Sequence, residues 1–149
     1  MMIERDRIMA LIPQQGAMCL LDRVVGWSAD RITCESSLHL SERNPLRRDG
    51  RLGIVCGAEF AFQAAALHGA LLAGGVPQRP GYVAALRLSL VGADRLDDPR
   101  HGLLNICSML ELNDPGGLIY GFALRGQDGP ALLQGRGTIA FPGCMAAPA

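Results

Sequence analysis

The residue of this chain that is best suited to catalysis is a single acid inside an apolar run. Glu59 is the only formally charged residue between Arg51 and Arg79, and Leu, Phe, Ala and Gly dominate its surroundings. Burial raises the pKa of a carboxyl group because desolvation penalises the charged form, and such a group often transfers protons in catalysis. Two other interpretations stay open: an acid that the helix dipole favours in the first turn, or one that faces solvent.

The composition narrows the classes of function. The chain has 149 residues, of which 49% are hydrophobic and 19% charged. These values predict one compact domain over residues 1–142, followed by a short tail at 143–149. The formal net charge is zero, so no global field attracts nucleic acid or an anionic membrane. All fourteen basic residues are Arg, which excludes a lysine nucleophile and Schiff-base chemistry.

The cysteines and the N-terminus indicate a cytoplasmic protein. The five cysteines are scattered without a CxxC pair, which favours reduced thiols. The first residues mix charges and lack the apolar core of a signal peptide. The run from Leu52 to Pro77 is long enough to span a bilayer, but its Gly, Ala and polar residues favour a buried core helix.

The pattern of apolar residues and turn signals predicts an α+β layout. A short helix is expected over Ile3–Ala10, and strands are expected over Leu20–Trp27 and Arg31–His39. A long apolar helix follows and is closed by Gly74-Gly75 and Pro77. Four antiparallel strands are predicted after it, at Gly81–Val91, Leu103–Leu112, Leu118–Arg125 and Ala131–Phe141.

Two motifs within this layout carry a resemblance to a known family. Residues 11–24 read LIPQQGAMCLLDRV, similar to a stretch in which Pro-His precedes an apolar run and Asp-Arg-Val. Residues 59–63 read EFAFQ, similar to Glu-x-x-x-Gln at the start of a central helix. With the order of elements, they resemble the hotdog-fold 3-hydroxyacyl-acyl-carrier-protein dehydratases, in which an antiparallel sheet wraps one helix. The subgroup found with aryl-polyene biosynthesis is more similar, through residues 16–22, 44–47 and 80–82.

The resemblance implies that the chain removes water from a 3-hydroxyacyl thioester. In that chemistry a His abstracts the proton beside the thioester carbonyl, and a Glu of raised pKa protonates the departing hydroxyl. Glu59 matches the acid, and Gln63, one turn further on the same helix face, could orient Glu59 or a water molecule. A buried amide satisfied by backbone or water explains Gln63 equally well. Gly53 and Gly57 are candidate N–H donors to the enolate-like oxygen, although helix–sheet packing explains them equally well.

One departure from the family decides the expected mechanism. Gln14 stands where the family has its His, and an amide cannot act as a general base near neutral pH. No other histidine is a ready substitute. His68 falls on another face of the helix, His39 is expected to be exposed on the polar face of its strand, and His101 lies in a loop.

The missing base implies a partner. In the family, the His and the Glu of one site come from different subunits, so a homodimer of this chain would lack every His, whereas a heterodimer with a His-bearing relative would complete one site. The alternatives are a hotdog acyl thioesterase that uses Glu59 with Gln14 or Gln63, and a non-catalytic acyl-binding or scaffold subunit. Dimerisation through the sheet is expected because a free strand edge is a liability.

Arginines before the helix suggest how the substrate arrives. Arg47, Arg48 and Arg51, together with Arg43, form a local basic cluster that would attract an acidic acyl carrier protein; a solvated loop diluted by nearby acids is the alternative. Acyl-CoA is the other substrate form considered. No metal-ligand spacing and no phosphate loop appears in the sequence, so no cofactor is expected beyond the phosphopantetheine thioester that carries the substrate.

Overall fold

The computed structural model describes residues 2–78 and 81–141. These residues form two α-helices, α1 at Arg5–Leu11 and α2 at Gly57–Leu72. Their seven strands are β1 Ile3–Glu4, β2 Arg23–Trp27, β3 Arg31–Ser36, β4 Tyr82–Val91, β5 Leu104–Asp114, β6 Gly117–Arg125 and β7 Ala131–Ala140. The predicted tail at 143–149 lies outside the described residues.

The seven strands form one antiparallel sheet in the order β1-β2-β3-β5-β6-β7-β4. The predicted α+β architecture, a long helix wrapped by an antiparallel sheet, is therefore confirmed. Strands β5, β6 and β7 are sequential neighbours, as short turns between them predict. Strand β4 lies at the far edge, where it pairs with β7 and, within the described residues, with no other strand.

Helix α2 is the core of the fold. Phe60, Ala64 and Leu67 are fully buried against the sheet, and the buried Ser108 hydroxyl on β5 donates to the carbonyl of Ala61 at 2.8 Å. The helical stretch Ile54–Leu72 is long and apolar enough to cross a membrane, but 61% of it is buried inside the molecule. Its apolar character is thus accounted for by the sheet that covers it.

The predicted stop signals end the helix as expected. Gly74 and Gly75 both have positive φ angles, and their N–H groups bond back to the carbonyls of Leu71 and Ala70. This is the Schellman arrangement, which satisfies the last carbonyls of a helix and requires a left-handed residue that glycine adopts readily.

The prediction that His39 ends an exposed strand face is wrong. Strand β3 ends at Ser36, and Leu38–Leu40 form a 3₁₀ turn. The Asp22 carboxylate accepts from the Ser37 N–H at 2.7 Å and stabilises this change of direction. The alternation of the strand is broken there, and the turn carries His39 into a fully buried position.

Candidate active site

Glu59 lies in the first turn of α2 at one end of a cavity of about 280 Å³. Its carboxyl group is half-buried, and burial raises its pKa above the usual value, while a hydrogen bond from the Gln63 amide works in the opposite direction. A carboxylic acid that keeps its proton closer to neutral pH suits the role of a general acid. The sequence interpretation of Glu59 as a fully solvated acid does not fit this position.

Gln63 joins the helix to the segment that precedes β2. Its side chain is buried, its Oε1 accepts from the N–H of Leu20 at 2.8 Å, and its Nε2 donates to the carbonyl of Met18 at 2.8 Å. The distance from Nε2 to the Glu59 Oε1 is a longer 3.5 Å. Gln63 therefore positions the segment around Met18 and steadies Glu59, and its carbonyl is already engaged by backbone.

Gln14 lies in the loop after α1 and lines the same cavity as Glu59. Its Oε1 is buried and has no hydrogen-bond partner within the described residues. The loop is held in place by Arg5, whose guanidinium donates to the carbonyls of Gly16 and Leu21 at 2.8 and 3.0 Å. Gln14 and Glu59 of the same chain thus line one cavity, and the sharing of a site between two chains that the resemblance implies stays a prediction.

Apart from Gln78, which lies beside Gly69, the wall of the cavity that follows α2 is apolar. Phe62, Ala66 and Gly69 continue the helix face of Glu59 away from the polar end. From Glu59 to Gly69 this face extends over about 15 Å at 1.5 Å per residue. The opposite wall comes from strands on the other side, with Tyr82, Val83, Leu118 and Ile139. Sequence reasoning did not assign these wall residues to the site, because they come from β4, β6 and β7 and only the tertiary pairing brings them beside α2.

The arginines predicted to bind substrate mostly have structural partners. Arg47 donates to Asp97 at 3.0 Å and to the carbonyl of Ser41 at 2.8 Å, and Asp97 also binds Arg95 at 2.8 Å. The hydrogen bonds from Arg95 are the main cause that holds the pKa of the buried Asp97 well below its usual range. Arg51 pairs with Asp94 at 2.6 Å on the surface. The ion pairs of Arg47 and Arg51 therefore hold the loop before α2 against the segment after β4.

Arg48 differs from these two arginines. It is exposed, and its guanidinium donates to the carbonyls of Pro45 and Arg47 at 3.2 and 2.9 Å. Within the described residues it has no carboxylate partner. Its charge is therefore available to an incoming anion, although it does not line the Glu59 cavity.

The two glycines before Glu59 have different surroundings. A Cβ on Gly57 would lie 2.8 Å from a methyl of Leu124, and the Gly57 N–H already donates to the carbonyl of Ile54. Packing of the helix on the sheet thus accounts for Gly57. A Cβ on Gly53 would meet no atom within 4 Å, so packing does not explain that glycine, and its role as an N–H donor stays a prediction.

The three histidines lie outside the cavity lining. His68 is buried on α2, with Nδ1 at 2.7 Å from the Tyr120 hydroxyl and Nε2 at 2.7 Å from the carbonyl of Ser28. His101 reaches the carbonyl of Arg95 at 3.0 Å, and His39 is enclosed near Asp22 and Asp97. The cavity lining among the described residues therefore contains one carboxyl group and two amides but no imidazole base.

No metal centre accompanies the acid. Across residues 2–78 and 81–141, no three His, Cys, Asp or Glu side chains are grouped closely enough to hold a metal ion. The carboxyl and amide side chains that line the cavity in the described part of the chain are those of Glu59, Gln14 and Gln78.

A comparison with models of known protein families assigns the chain to a family. A family model described as ApeP-like, ApeP dehydratase, matches residues 6–96. The chain belongs to the ApeP-like dehydratase family. The matched part of this ApeP-like chain contains Gln14, Glu59 and Gln63 together with the arginine loop. No curated protein matches it significantly.

Solved structures show the same fold. The dehydratase heterocomplex ApeI:P from Xenorhabdus doucetiae matches the ApeP-like chain with a TM-score of 0.76 at 20% identity, covering 94% of this chain and 91% of the other. A mutant thioesterase from Pseudomonas aeruginosa matches with a TM-score of 0.55 at 13% identity, covering 79% and 78%. A thioesterase from Haemophilus influenzae gives 0.55 at 11%, covering 78% and 75%. The hotdog fold predicted from the motifs is confirmed.

Proposed function

We propose that this chain is the acid-bearing subunit of a two-chain dehydratase that acts on 3-hydroxyacyl thioesters. The observation that carries the proposal is Glu59, a half-buried acid of raised pKa at the polar end of an apolar cavity. The apolar wall along α2 suits an acyl chain, whereas the acid suits the hydroxyl group near the thioester. Membership of a dehydratase family supports this pairing of acid and acyl chain.

The elimination needs one acid and one base. A base takes the proton from the carbon beside the thioester carbonyl, the electron pair forms the new double bond, and the C–O bond at the next carbon breaks. Glu59 gives its proton to the departing hydroxyl, so the products are water and a 2-enoyl thioester. Gln14 has no proton-accepting nitrogen near neutral pH, and the base must therefore come from elsewhere.

The free edge of the sheet indicates where the base enters. Tyr82 and Val83 begin the exposed strand β4 and also line the Glu59 cavity. A related hotdog chain that docks along β4 would thus border the cavity and could place an imidazole near Glu59. The Xenorhabdus doucetiae relative, which is a heterocomplex, supports such an arrangement. A homodimer would duplicate the site without supplying the base.

Delivery of the substrate fits the surface of the loop before α2. Arg48 is exposed without a carboxylate partner in the described chain, and acyl carrier proteins are acidic. We propose a phosphopantetheine-bound substrate on a carrier protein or on CoA, with no further cofactor, in the cytoplasm. The four cysteines of the described residues are free thiols, as a reducing compartment favours.

The test is dehydration, or the reverse hydration of a crotonyl thioester, followed by enoyl absorbance. We expect the purified chain alone to be inactive and its complex with a co-expressed His-bearing hotdog relative to be active. In that complex, Glu59→Gln should lower kcat at least about a hundredfold, whereas Glu42→Gln, a change at an exposed loop acid, should not. Full activity of the Glu59→Gln complex would instead make this chain a non-catalytic subunit.

Thioester hydrolysis is a second candidate, favoured by one observation. The Gln14 side chain lines the cavity of Glu59, and its Oε1 has no hydrogen-bond partner in the described chain, so a rotation of this side chain would let the amide hold a water that Glu59 activates. Hydrolysis would release free thiol from acyl-CoA in the purified chain. Gln14→Ala would abolish that release, while dehydration by the complex would not depend on the Gln14 amide.

A further inference from the structure

Strand β4 is an apolar edge that the described chain leaves open. The exposed fractions of Tyr82, Val83 and Val91 are 49%, 42% and 55%, and the backbone groups on the outer side of the strand have no neighbouring strand in the described residues. A long exposed apolar edge is a template for pairing with another chain. The question is which chain this edge accepts.

One charged residue stands at the centre of this edge. Arg87 lies at the middle of Tyr82–Val91 and is exposed. Its neighbour Leu86 pairs with Gly137, whose Cβ would meet the Phe62 ring on α2, so Leu86 faces the helix and Arg87 faces the opposite side of the sheet. Within the described residues, no carboxylate pairs with Arg87.

The adjacent strand adds a second guanidinium. Arg136 on β7 is directly opposite Arg87, and Glu111 on β5 pairs with Arg136 at 2.6 Å. The Glu111 side chain thus reaches Arg136 across Gly121 on β6, and the charged groups on this face run from Glu111 to Arg136 to Arg87 and then to the open edge. Their single carboxylate is on the far side of Arg136, so the edge itself ends in positive charge.

Pairing of β4 with its own copy would bring two such rows together. Opposite residues of an antiparallel pair share a face, so a two-fold symmetric pair must centre on one residue that faces itself. The register of β4 shifts at Ala84 and at Ser89, which leaves residues 85–88 as its regular stretch, and the two registers that keep this stretch paired centre on Leu86 or on Arg87. The two Arg87 side chains are then diagonal neighbours, with Cβ atoms about 7–8 Å apart, or direct neighbours at about 5 Å.

We propose that Arg87 makes the β4 edge reject a second copy of this chain and select the edge strand of a different chain that carries Asp or Glu opposite it. Like charges directly across two strands destabilise the pair, whereas opposite charges stabilise it. The apolar residues of β4 would bury contact area against either partner. Arg87 would make the difference in affinity between a second copy of this chain and a partner with an acidic residue. This inference rests on the two-chain arrangement proposed above and names the chemistry of the partner strand.

The test needs only variants of this chain, in two differently tagged forms mixed at low salt and followed by sedimentation. We expect the wild-type chain and the Arg87→Glu variant each to self-associate weakly, and their mixture to form the mixed dimer at least about fivefold more tightly. Arg87→Leu should self-associate more tightly than wild type. The preference should shrink at high salt because the exposed charges are screened. The matched control is Arg125→Glu, which makes the same charge change at an exposed position on β6.

The outcomes separate this inference from the function. A tight wild-type homodimer, or equal affinities for all combinations, would overturn the selection by Arg87 and leave the dehydratase assay of Glu59 unaffected. Full activity of the Glu59→Gln complex would in turn refute the proposed role of Glu59 and leave the sedimentation results standing. If Arg125→Glu mixed with wild type as well as Arg87→Glu does, net charge rather than the β4 edge would explain the association, and the inference would be wrong.

Discussion

At the scale of single residues, the site combines an acid of raised pKa with an amide that has nothing to bind in the described chain. Glu59 loses solvation on the helix and keeps only a 3.5 Å contact to Gln63. Gln14 lines the same cavity, and its carbonyl oxygen is buried without a hydrogen-bond partner in the described chain. Since an unsatisfied buried oxygen costs about 1–3 kcal/mol, a water molecule, substrate or partner group is expected to occupy that position.

Replacing this amide with a base tests the geometry directly. Gln14→His places an imidazole in the cavity of Glu59 within one chain, so we expect the purified variant to gain measurable dehydration of a 3-hydroxyacyl thioester. The gain comes from a nitrogen that accepts the proton near neutral pH. Gln14→Asn is the matched control and should stay inactive, and Gln14→His/Glu59→Gln should lose the gained activity. No gain in a folded variant would show that the two side chains do not approach one substrate.

At the scale of elements, local patterns explain most of the fold but not its long-range pairing. Helix α2 and strands β4–β7 agree with the predictions to within a few residues, because apolar periodicity and Gly or Pro signals are local. The position of His39 could not be predicted, since the turn after Ser36 depends on the Asp22 carboxylate from another segment. The cavity walls likewise depend on β4 pairing with β7, which neighbours in sequence do not reveal.

Helix α2 packs closely on β7 at a glycine. Gly137 lies under the Phe62 ring, which a Cβ would overlap. We therefore expect Gly137→Ala to lower the free energy of unfolding by about 1–3 kcal/mol in a urea titration. Gly26→Ala, where a Cβ meets no atom within 4 Å, is the control and should cost less.

Displacement of the Phe62 ring should also affect the site, because Phe62 lines the cavity. Adding Phe62→Leu to the Gly137→Ala background should recover part of the lost stability. Equal stability of Gly137→Ala and wild type would mean that the helix is not held this close to the strand.

At the scale of the whole molecule, positive and negative charges balance, so we expect the pH dependence of stability to come from buried titratable groups rather than from repulsion by a net charge. The formal charge is zero, and several carboxylates already pair with arginines, with Asp97 the most buried of them. His39, by contrast, is a titratable group without such a partner. It is fully buried, and within the described residues neither ring nitrogen has a hydrogen-bond partner of good geometry. Acid should therefore act on the fold through this residue.

Burial lowers the pKa of His39 from 6.5 to about 4 in the folded protein. Above pH 6.5 the side chain is neutral in both states and has no pH effect. Between pH 6.5 and 4 the unfolded chain takes up a proton that the folded chain refuses, so the free energy of unfolding falls with pH, by at most about 3 kcal/mol. We expect thermal unfolding from pH 8 to 4 to show this loss in wild type and a smaller one in His39→Leu. His101→Gln removes a neighbouring charge that also lowers the pKa of His39, so it should reduce the loss by much less than His39→Leu does. Parallel pH profiles for wild type and His39→Leu would mean that His39 is protonated equally in both states and that its site admits water.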